Sequence, residues 1–407
     1  MSARIVLCPS CDQAVTLPPY EHGKKCVCPV CGALLRSGHL NTIKNSAICA
    51  IATLILLFCA IFQPFLSIES LGIYHEIALS SIFGVLKSDW SLLLTVFLLF
   101  TFLLPTVMLL QQILIGLCGQ SPERIFCKLY AFCHRFCMVD VFVFGVIVSL
   151  VKLTSLARVN FHAGFYLGFI ASMLLIYCWV KVPPTKMWDA YMPSTAAPRP
   201  GIRGIEQGFI YCKHCGCVYL AAKHHHCPRC RQISTYRIAG SRQRTLALLL
   251  AALILYLPAN LYPIMFTTYL GNAVGSNIVD GVISLWDMNS QAVALIILFA
   301  SIFIPVFKIV LLLLLIYLTR HQQVSKPAWL SGFYRVISFI GKWSMIDVFV
   351  VIIMSATVRM SGLLTIDPGF AIIAFCAVVL ITMAAAELFD ERLIWDNFYA
   401  GTERSTR

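Results

Sequence analysis

Apolar residues fall in eight long runs, at roughly 46–66, 91–117, 137–157, 163–182, 245–266, 291–319, 343–362 and 370–389. At 1.5 Å per residue, each run can cross about 30 Å of hydrocarbon as a helix. This pattern predicts a polytopic α-helical membrane protein. After the first and fifth runs the period changes. Phe65–Ser80 alternates apolar and polar side chains about Leu71-Gly72, which predicts a β-hairpin. Ile264–Tyr269 followed by Gly271-Asn272 predicts a weaker second one, so small sheets are expected on the extracytoplasmic side.

The polar segments alternate in charge. Lys and Arg crowd the two ends of the chain, loop 118–136, linker 183–244 and loop 320–342, whereas the opposite loops keep only Lys87 and Arg158. The positive-inside bias then puts both termini in the cytoplasm. Composition agrees with a membrane class: of 407 residues, 59% are hydrophobic and 12% charged, against about 25% charged in a soluble domain. The formal charge of +13 is spread over the loops, so it reads as topology and not as a nucleic-acid surface. No cleavable signal peptide is expected, because the chain opens with polar, cysteine-bearing sequence.

The chain also repeats itself. Cys31 matches Cys230, Gln63-Pro64 matches Tyr262-Pro263 and Leu104-Pro105 matches Ile304-Pro305, at spacings of 199 or 200; Asp140 matches Asp347, Lys152 matches Arg359 and Trp188-Asp189 matches Trp395-Asp396, all at 207. The expected order is a ribbon at 1–40, a four-helix module at 41–190, a linker at 191–208, a ribbon at 209–240, a second four-helix module at 241–398 and a tail at 399–407. An even number of spans per unit makes the repeats parallel. The Trp-Asp pairs just past each fourth span read as interfacial anchors.

Of eighteen cysteines, eight form Cys-x-x-Cys pairs: Cys8/Cys11 and Cys28/Cys31, sixteen residues apart, then Cys212/Cys215 and Cys227/Cys230, eleven apart. Two knuckles supplying four thiolates suit tetrahedral Zn²⁺ in a structural ribbon. Cys26, Cys217 and His224-His225-His226 lie close enough to compete as ligands. Thioredoxin-like chemistry needs a single pair on a βαβ unit and fits less well. Reduced thiolates again point to the cytoplasm.

Charge inside the apolar runs is costly, about 2.5–3.5 kcal/mol near mid-helix on insertion scales, and calls for a partner or a task. Asp347 lies about 6 Å into the seventh run, and Lys308, about 25 Å along the oppositely directed sixth, reaches the same depth. An ion pair is the natural inference. Ser301 shares the helix face of Lys308, Ser344 lies one turn before Asp347, and Thr382 on the eighth run is placed to reach the group. The first repeat keeps Asp140 but has Met108, Thr101 and Cys137 at the positions of Lys308, Ser301 and Ser344. A fold-locking pair would be expected in both repeats, so a working site in the second half alone is favoured, with proton coupling as its task. Lys152 and Arg359 lie about 18 Å further out than each Asp, where they can snorkel to the surface or contact headgroups. No nucleotide-binding or nucleophilic catalytic motif appears, so no enzyme activity is expected.

The paired ribbons, Leu257-Pro258-Ala259-Asn260-Leu261-Tyr262-Pro263, Trp343-Ser344-Met345-Ile346-Asp347-Val348-Phe349 and the closing Trp395-Asp396 resemble the paraquat-inducible protein A family. Val358-Arg359-Met360-Ser361-Gly362-Leu363 is nearer its PqiA branch than its LetA branch. The resemblance covers essentially the whole chain. It implies a Gram-negative inner-membrane component working with an MCE-domain periplasmic tunnel protein of the PqiB or LetB type, loading or unloading phospholipids at the tunnel base. It further implies that Ser301, Lys308, Ser344, Asp347 and Thr382 match the family's polar network, a proposed proton-coupling site. A non-transporting scaffold that orients the tunnel is the rival expectation, and a thiol-based stress sensor a third.

Overall fold

A computed structural model describes the chain except residues 1–3, 19–23, 37–42, 71–72, 79–90, 120–121, 155–157, 195, 222–225, 270–271, 288–290, 322–325, 358, 361–363 and 406–407; within its elements the side chains of Lys152, Asp347 and Arg359 also fall outside the description. Strands β1 (Arg4–Leu7) to β2 (Ala14–Leu17) and β3 (Cys26–Val27) to β4 (Leu34–Arg36) make two small hairpins. Helix α1 (Ile43–Phe62) then leads to β5 (Pro64–Ser70) and β6 (Ile73–Ala78), and α2 (Ser91–Leu98) runs through a π-turn at Leu99–Leu103 into α3 (Leu104–Cys118). After α4 (Arg124–Phe136) come α5 (Val139–Thr154), β7 (Arg158–Phe161), α6 (Ala163–Lys181) and α7 (Pro184–Tyr191).

The second half runs in a similar order. A hairpin of β8 (Phe209–Tyr211) and β9 (Val218–Leu220) precedes α8 (Ser241–Leu261), β10 (Met265–Tyr269), β11 (Asn272–Ser276) and a short α9 (Ile278–Asp287). Helix α10 (Gln291–Leu298) passes through a π-turn at Phe299–Phe303 into α11 (Ile304–Arg320). Then come α12 (Pro327–Ile340), a 3₁₀ turn at Gly341–Met345, α13 (Ile346–Thr357), β12 (Arg359–Met360), β13 (Leu364–Pro368), α14 (Ala371–Leu388) and α15 (Arg392–Ser405).

Among the described residues, seven helical stretches are long and apolar enough to cross a membrane, and the apolar stretch at Trp343–Ile353 is shorter. One of the seven, Arg124–Leu150, spans 27 residues, about 40 Å at full helical rise. It is not one straight crossing, because Cys137 is extended (φ −67°, ψ 117°) and separates α4 from α5. The seventh run is also shorter than its sequence pattern suggests, since the chain has turned to strand by Arg359.

The π-turns have a cause in sequence. Pro105 and Pro305 stand second in α3 and α11, where proline lacks an N–H and its ring presses on the carbonyl four residues earlier. One wider turn relieves that clash without ending the helix. At the far end from the ribbons, the expected hairpins form, and later strands join them, one in the first half and two in the second. Sheet β6-β5-β7 pairs Ser67 with both Glu76 and Asn160, and sheet β11-β10-β13-β12 pairs Thr267 with Val274 and Ile366. Strands from before and after the middle spans are thereby locked together.

The halves meet where α5 and α13, the helices bearing Asp140 and Asp347, pack side by side. A Cβ on Gly145 would lie 3.1 Å from Phe349 Cβ, so glycine lets the two helices approach without either giving way. Phe349 is buried there, edge-on to Phe97 and Phe142 with ring centroids 5.8 and 6.3 Å away.

Candidate functional site: two thiol tetrads and a buried lysine

Each cysteine set converges. Sγ atoms of Cys8 and Cys31 lie 3.4 Å apart and those of Cys11 and Cys28 3.6 Å apart; in the second set Cys212–Cys230 is 3.6 Å and Cys215–Cys227 is 3.5 Å. All eight are buried, and within each tetrad every sulfur lies within 4.8 Å of the others. A Zn–S bond of about 2.3 Å demands sulfur–sulfur edges of about 3.8 Å, so each donor set fits a tetrahedral thiophilic ion. The knuckles are shaped by a left-handed residue after each second cysteine: Asp12, Gly32, Gly216 and Arg231, with φ between 57° and 70°. That turn lets the following amide reach back to the first cysteine's carbonyl, as Gly216 N does to Cys212 O at 2.8 Å. Contacts from neighbouring thiols, Cys11 and Cys212 foremost, hold Cys28 and Cys227 below the ordinary thiol range. The tetrads exclude Cys26 and Cys217, and His226 is exposed; His224 and His225 lie outside the described residues.

The ribbons cross over. The first, preceding the first half, packs on the second half through Ala33, Phe389, Ile394 and Trp395, and Arg335 of α12 donates to Cys31 O at 2.7 Å. The second packs on the first half while also holding on to its own. Arg124 Nε donates to Arg229 O at 3.1 Å, and Arg229 spans from Cys215 O (3.0 Å) to Asp189 (2.8 Å). This corrects the reading of the Trp-Asp pairs as interfacial anchors. Trp188 and Trp395 are 1% and 3% exposed, Asp189 binds Arg229, and Asp396 binds Arg203 and Arg237. Both pairs end against ribbons and not at the lipid surface: Asp189 holds the second ribbon, Trp395 packs on the first, and Asp396 holds Arg237 of the second.

Around that junction lies a charged cluster that sequence reading missed. Asp390 is fully buried and accepts two hydrogen bonds from the Arg392 guanidinium (3.0 and 2.9 Å), one from Arg392 N (3.2 Å) and one from Ile238 N (3.0 Å), with Lys213 Nζ 3.5 Å away. Burial opposes its charge, but the Arg392 guanidinium prevails and holds the carboxyl well below the usual range. Its neighbour Glu391 has no such clasp, and burial pushes it up. Asp12 of the first ribbon meets Arg237 at 3.1 Å, so the cluster ties both ribbons to the second half. The one signal was the run Asp390-Glu391-Arg392 directly after an apolar span.

In the membrane-spanning part, Lys308 is 2% exposed. Its Nζ donates to Thr382 Oγ1 at 3.3 Å, and Thr382 donates onward to Val379 O at 3.0 Å. A Cβ on Gly341 would lie 2.7 Å from Nζ, so the ammonium occupies the space that a missing side chain leaves. Ser301 is buried in the π-turn and bonds Ile297 O at 2.6 Å, and Ser344 is buried in the 3₁₀ turn beside Gly341. Asp347 begins α13 two residues after that turn; its carboxylate, and with it the Lys308–Asp347 pairing, lies outside the described residues, as do the side chains of Lys152 and Arg359. In the first half Met108 is fully buried, and polarity moves one turn along to Gln112, which donates to Tyr130 Oη (2.9 Å) and Cys178 O (3.4 Å). Tyr130 in turn binds Val182 O at 2.6 Å. Gln111-Gln112 against Leu311-Leu312 was the legible sign of this difference.

A family model described as paraquat-inducible protein A matches the chain twice, over residues 43–192 and 242–399. The chain is 37% identical over 402 residues to the intermembrane transport protein PqiA of Escherichia coli strain K12, covering 97% of this chain and 96% of that protein. It is 28% identical over 411 residues to the lipophilic envelope-spanning tunnel protein A of the same strain, covering 98% and 92%. A probable intermembrane transport protein of Haemophilus influenzae is 25% identical over 405 residues, covering 96% of each. No solved structure matches the chain.

Proposed function

We infer the function from one premise: the chain belongs to the paraquat-inducible protein A family. Its relatives are named for intermembrane transport and for a lipophilic envelope-spanning tunnel. We carry that role over as movement of phospholipid between the bacterial inner membrane and a periplasm-spanning tunnel of MCE type. The two halves are parallel repeats, with both ribbons and both termini cytoplasmic, where thiolates stay reduced and the basic loops belong. The sheets then face the periplasm and offer the tunnel its seat. The protein is a transporter subunit and not an enzyme.

Each tetrad holds a structural Zn²⁺, which supplies folding energy to a domain too small to fold without it. Because the ribbons cross over, each zinc site fastens one half to the other and sets their relative position at the cytoplasmic end.

Energy enters through the second half. The observation that carries this is Lys308, buried against Gly341 and Thr382 where the first half has Met108. We assign Asp347, at the start of the adjoining helix, as the proton-carrying partner. Protonation of Asp347 removes its attraction for Lys308 and frees α11 to shift against α13, with the π-turn at Ser301 absorbing the change. Lipid then gains access between helices, with Lys152 and Arg359 meeting its headgroup at the outer mouth. The test is Asp347→Asn in cells, with envelope-barrier function, protein abundance and co-purification of the tunnel protein all measured. Loss of function with a full complex supports coupling. Retained function leaves the protein as a scaffold that anchors and orients the tunnel.

A further inference from the structure

Helix α4 presents three faces, each with different chemistry. Cys127, Tyr130 and Cys133 are buried against the first half, where Cys127 Sγ lies 3.6 Å from Met187 O. Ile125, Leu129 and Phe132, spaced by four and three residues, form an exposed apolar stripe, being 73%, 44% and 51% exposed. Lys128 and Arg135, seven residues apart, stand together along one flank of that stripe at 100° of helical turn per residue. No acidic residue occurs within the helix; Glu123 precedes it. Arg135 meets Glu387 at 3.3 Å with both side chains more than two-fifths exposed, a contact that solvent weakens. Among the described residues no carboxylate pairs with Lys128.

The position of α4 fixes what meets this stripe. It follows α3 and shares with α5 the apolar stretch Arg124–Leu150, from which the extended Cys137 divides it; Leu110, Leu114 and Leu117 of α3 are exposed as well. A helix set off from its neighbouring span by an extended residue, apolar on one face and basic along one flank, is of the kind that lies in the plane of a bilayer surface. We propose that α4 is an in-plane docking surface for anionic phospholipid headgroups, with Ile125, Leu129 and Phe132 among the acyl chains and Lys128 and Arg135 on the phosphates. This holds whether or not the protein transports lipid.

The molecule contains its own control. Helix α12 takes the same place in the second half and shows a like stripe, with Trp329, Val336 and Phe339 at 61%, 55% and 62% exposure. Its one internal cation, Arg335, is turned inward to Cys31 O and Ser331 O. Both helices therefore touch lipid, but within its length only α4 carries outward cations, while α12 has the exposed Lys326 just before its first turn.

The full-length protein would be reconstituted in vesicles of phosphatidylcholine with one-fifth phosphatidylglycerol. Either lipid would carry a photoreactive group, and cross-linked peptides would be counted by mass spectrometry. A cation at an anionic surface enriches such lipids about fivefold. The glycerol-to-choline ratio should therefore be at least about fivefold higher on α4 than on α12, and Lys128→Gln should lower it about fivefold. Lys128→Gln with Arg135→Gln should bring α4 to the level of α12, while cross-linking to phosphatidylcholine and two zinc ions per chain are kept. Equal ratios on the two helices, a ratio unchanged in the double variant, or no lipid on α4 at all would each overturn the proposal.

Discussion

Replacing Gly341 with alanine puts a methyl group where the Lys308 ammonium now lies. The new carbon would sit 2.7 Å from Nζ, 3.1 Å from Cε and 3.5 Å from Cδ. Contacts at that range want about 3.5 Å or more, so Nζ must retreat by roughly 1 Å. Its bond to Thr382, already 3.3 Å long, is the contact it stands to lose. Gly341 does not have positive φ, so the backbone itself tolerates alanine. The cost is thus steric and local, about 1–3 kcal/mol for one methyl forced into a packed interior. Unfolding of the purified protein by a denaturing detergent in mixed micelles would measure it. In a Lys308→Ala background the three clashing atoms are gone, and the same glycine-to-alanine change should then cost almost nothing. The coupling energy from the cycle should be at least about 1 kcal/mol. An equal penalty in both backgrounds, or none in either, would refute the placement of Lys308 over Gly341.

Other outcomes are equally specific. Protein purified without chelators should contain two Zn²⁺ per chain by atomic emission. Cys28→Ser should lose one of them, and with it the Cys31–Arg335 contact, seen as faster hydrogen exchange in α12. Asp390→Asn should destabilise by about 3–5 kcal/mol, because it leaves buried Arg392 unpaired. The Asp390 carboxyl is held below its ordinary value, so its contribution is complete above about pH 4 and fades as pH falls through the lower folded-state value. An acid titration of stability should therefore flatten below pH ~4 in Asp390→Asn relative to the parent. Burial shifts Glu391 the opposite way, so Glu391→Gln should be neutral or stabilising at pH ~7; equal losses for both variants would contradict the assignment of the shifts. An introduced cysteine at Asn272 should react with an impermeant maleimide from outside sealed cells and one at Ser194 should not, the reverse pattern inverting the orientation.

What could be read from sequence was what is local in sequence. The hairpin about residues 71–72 was legible because alternation and turn chemistry sit within sixteen positions, and the tetrads because CxxC spacing encodes the knuckle directly. Helices α4 and α12 were read as loops, since their charges counted toward topology and their apolar stripes are short. The crossing-over of the ribbons had no signal: Cys31 meets Arg335 across about 300 residues, and nothing in either segment names the other. The burial of Trp188 and Trp395 followed from that crossing, so a Trp-Asp pair after a span was misread as facing lipid. Lys308 and Thr382 could be brought together in advance only because charge in an apolar run demands a neighbour at its own depth.

The central claim is that Lys308 and Asp347 couple protons to transport and do not merely brace two helices. A brace tolerates removal of both charges together, because the double change Lys308→Met with Asp347→Asn leaves no unpaired ion and is nearly neutral for stability. A coupling pair does not, because no group is left to carry the proton. The decisive measurement is envelope-barrier function in cells carrying that double variant, at matched abundance and zinc content. Coupling predicts normal assembly with no more function than Asp347→Asn alone. Function restored to the parental level would contradict it and leave the pair as a helix brace.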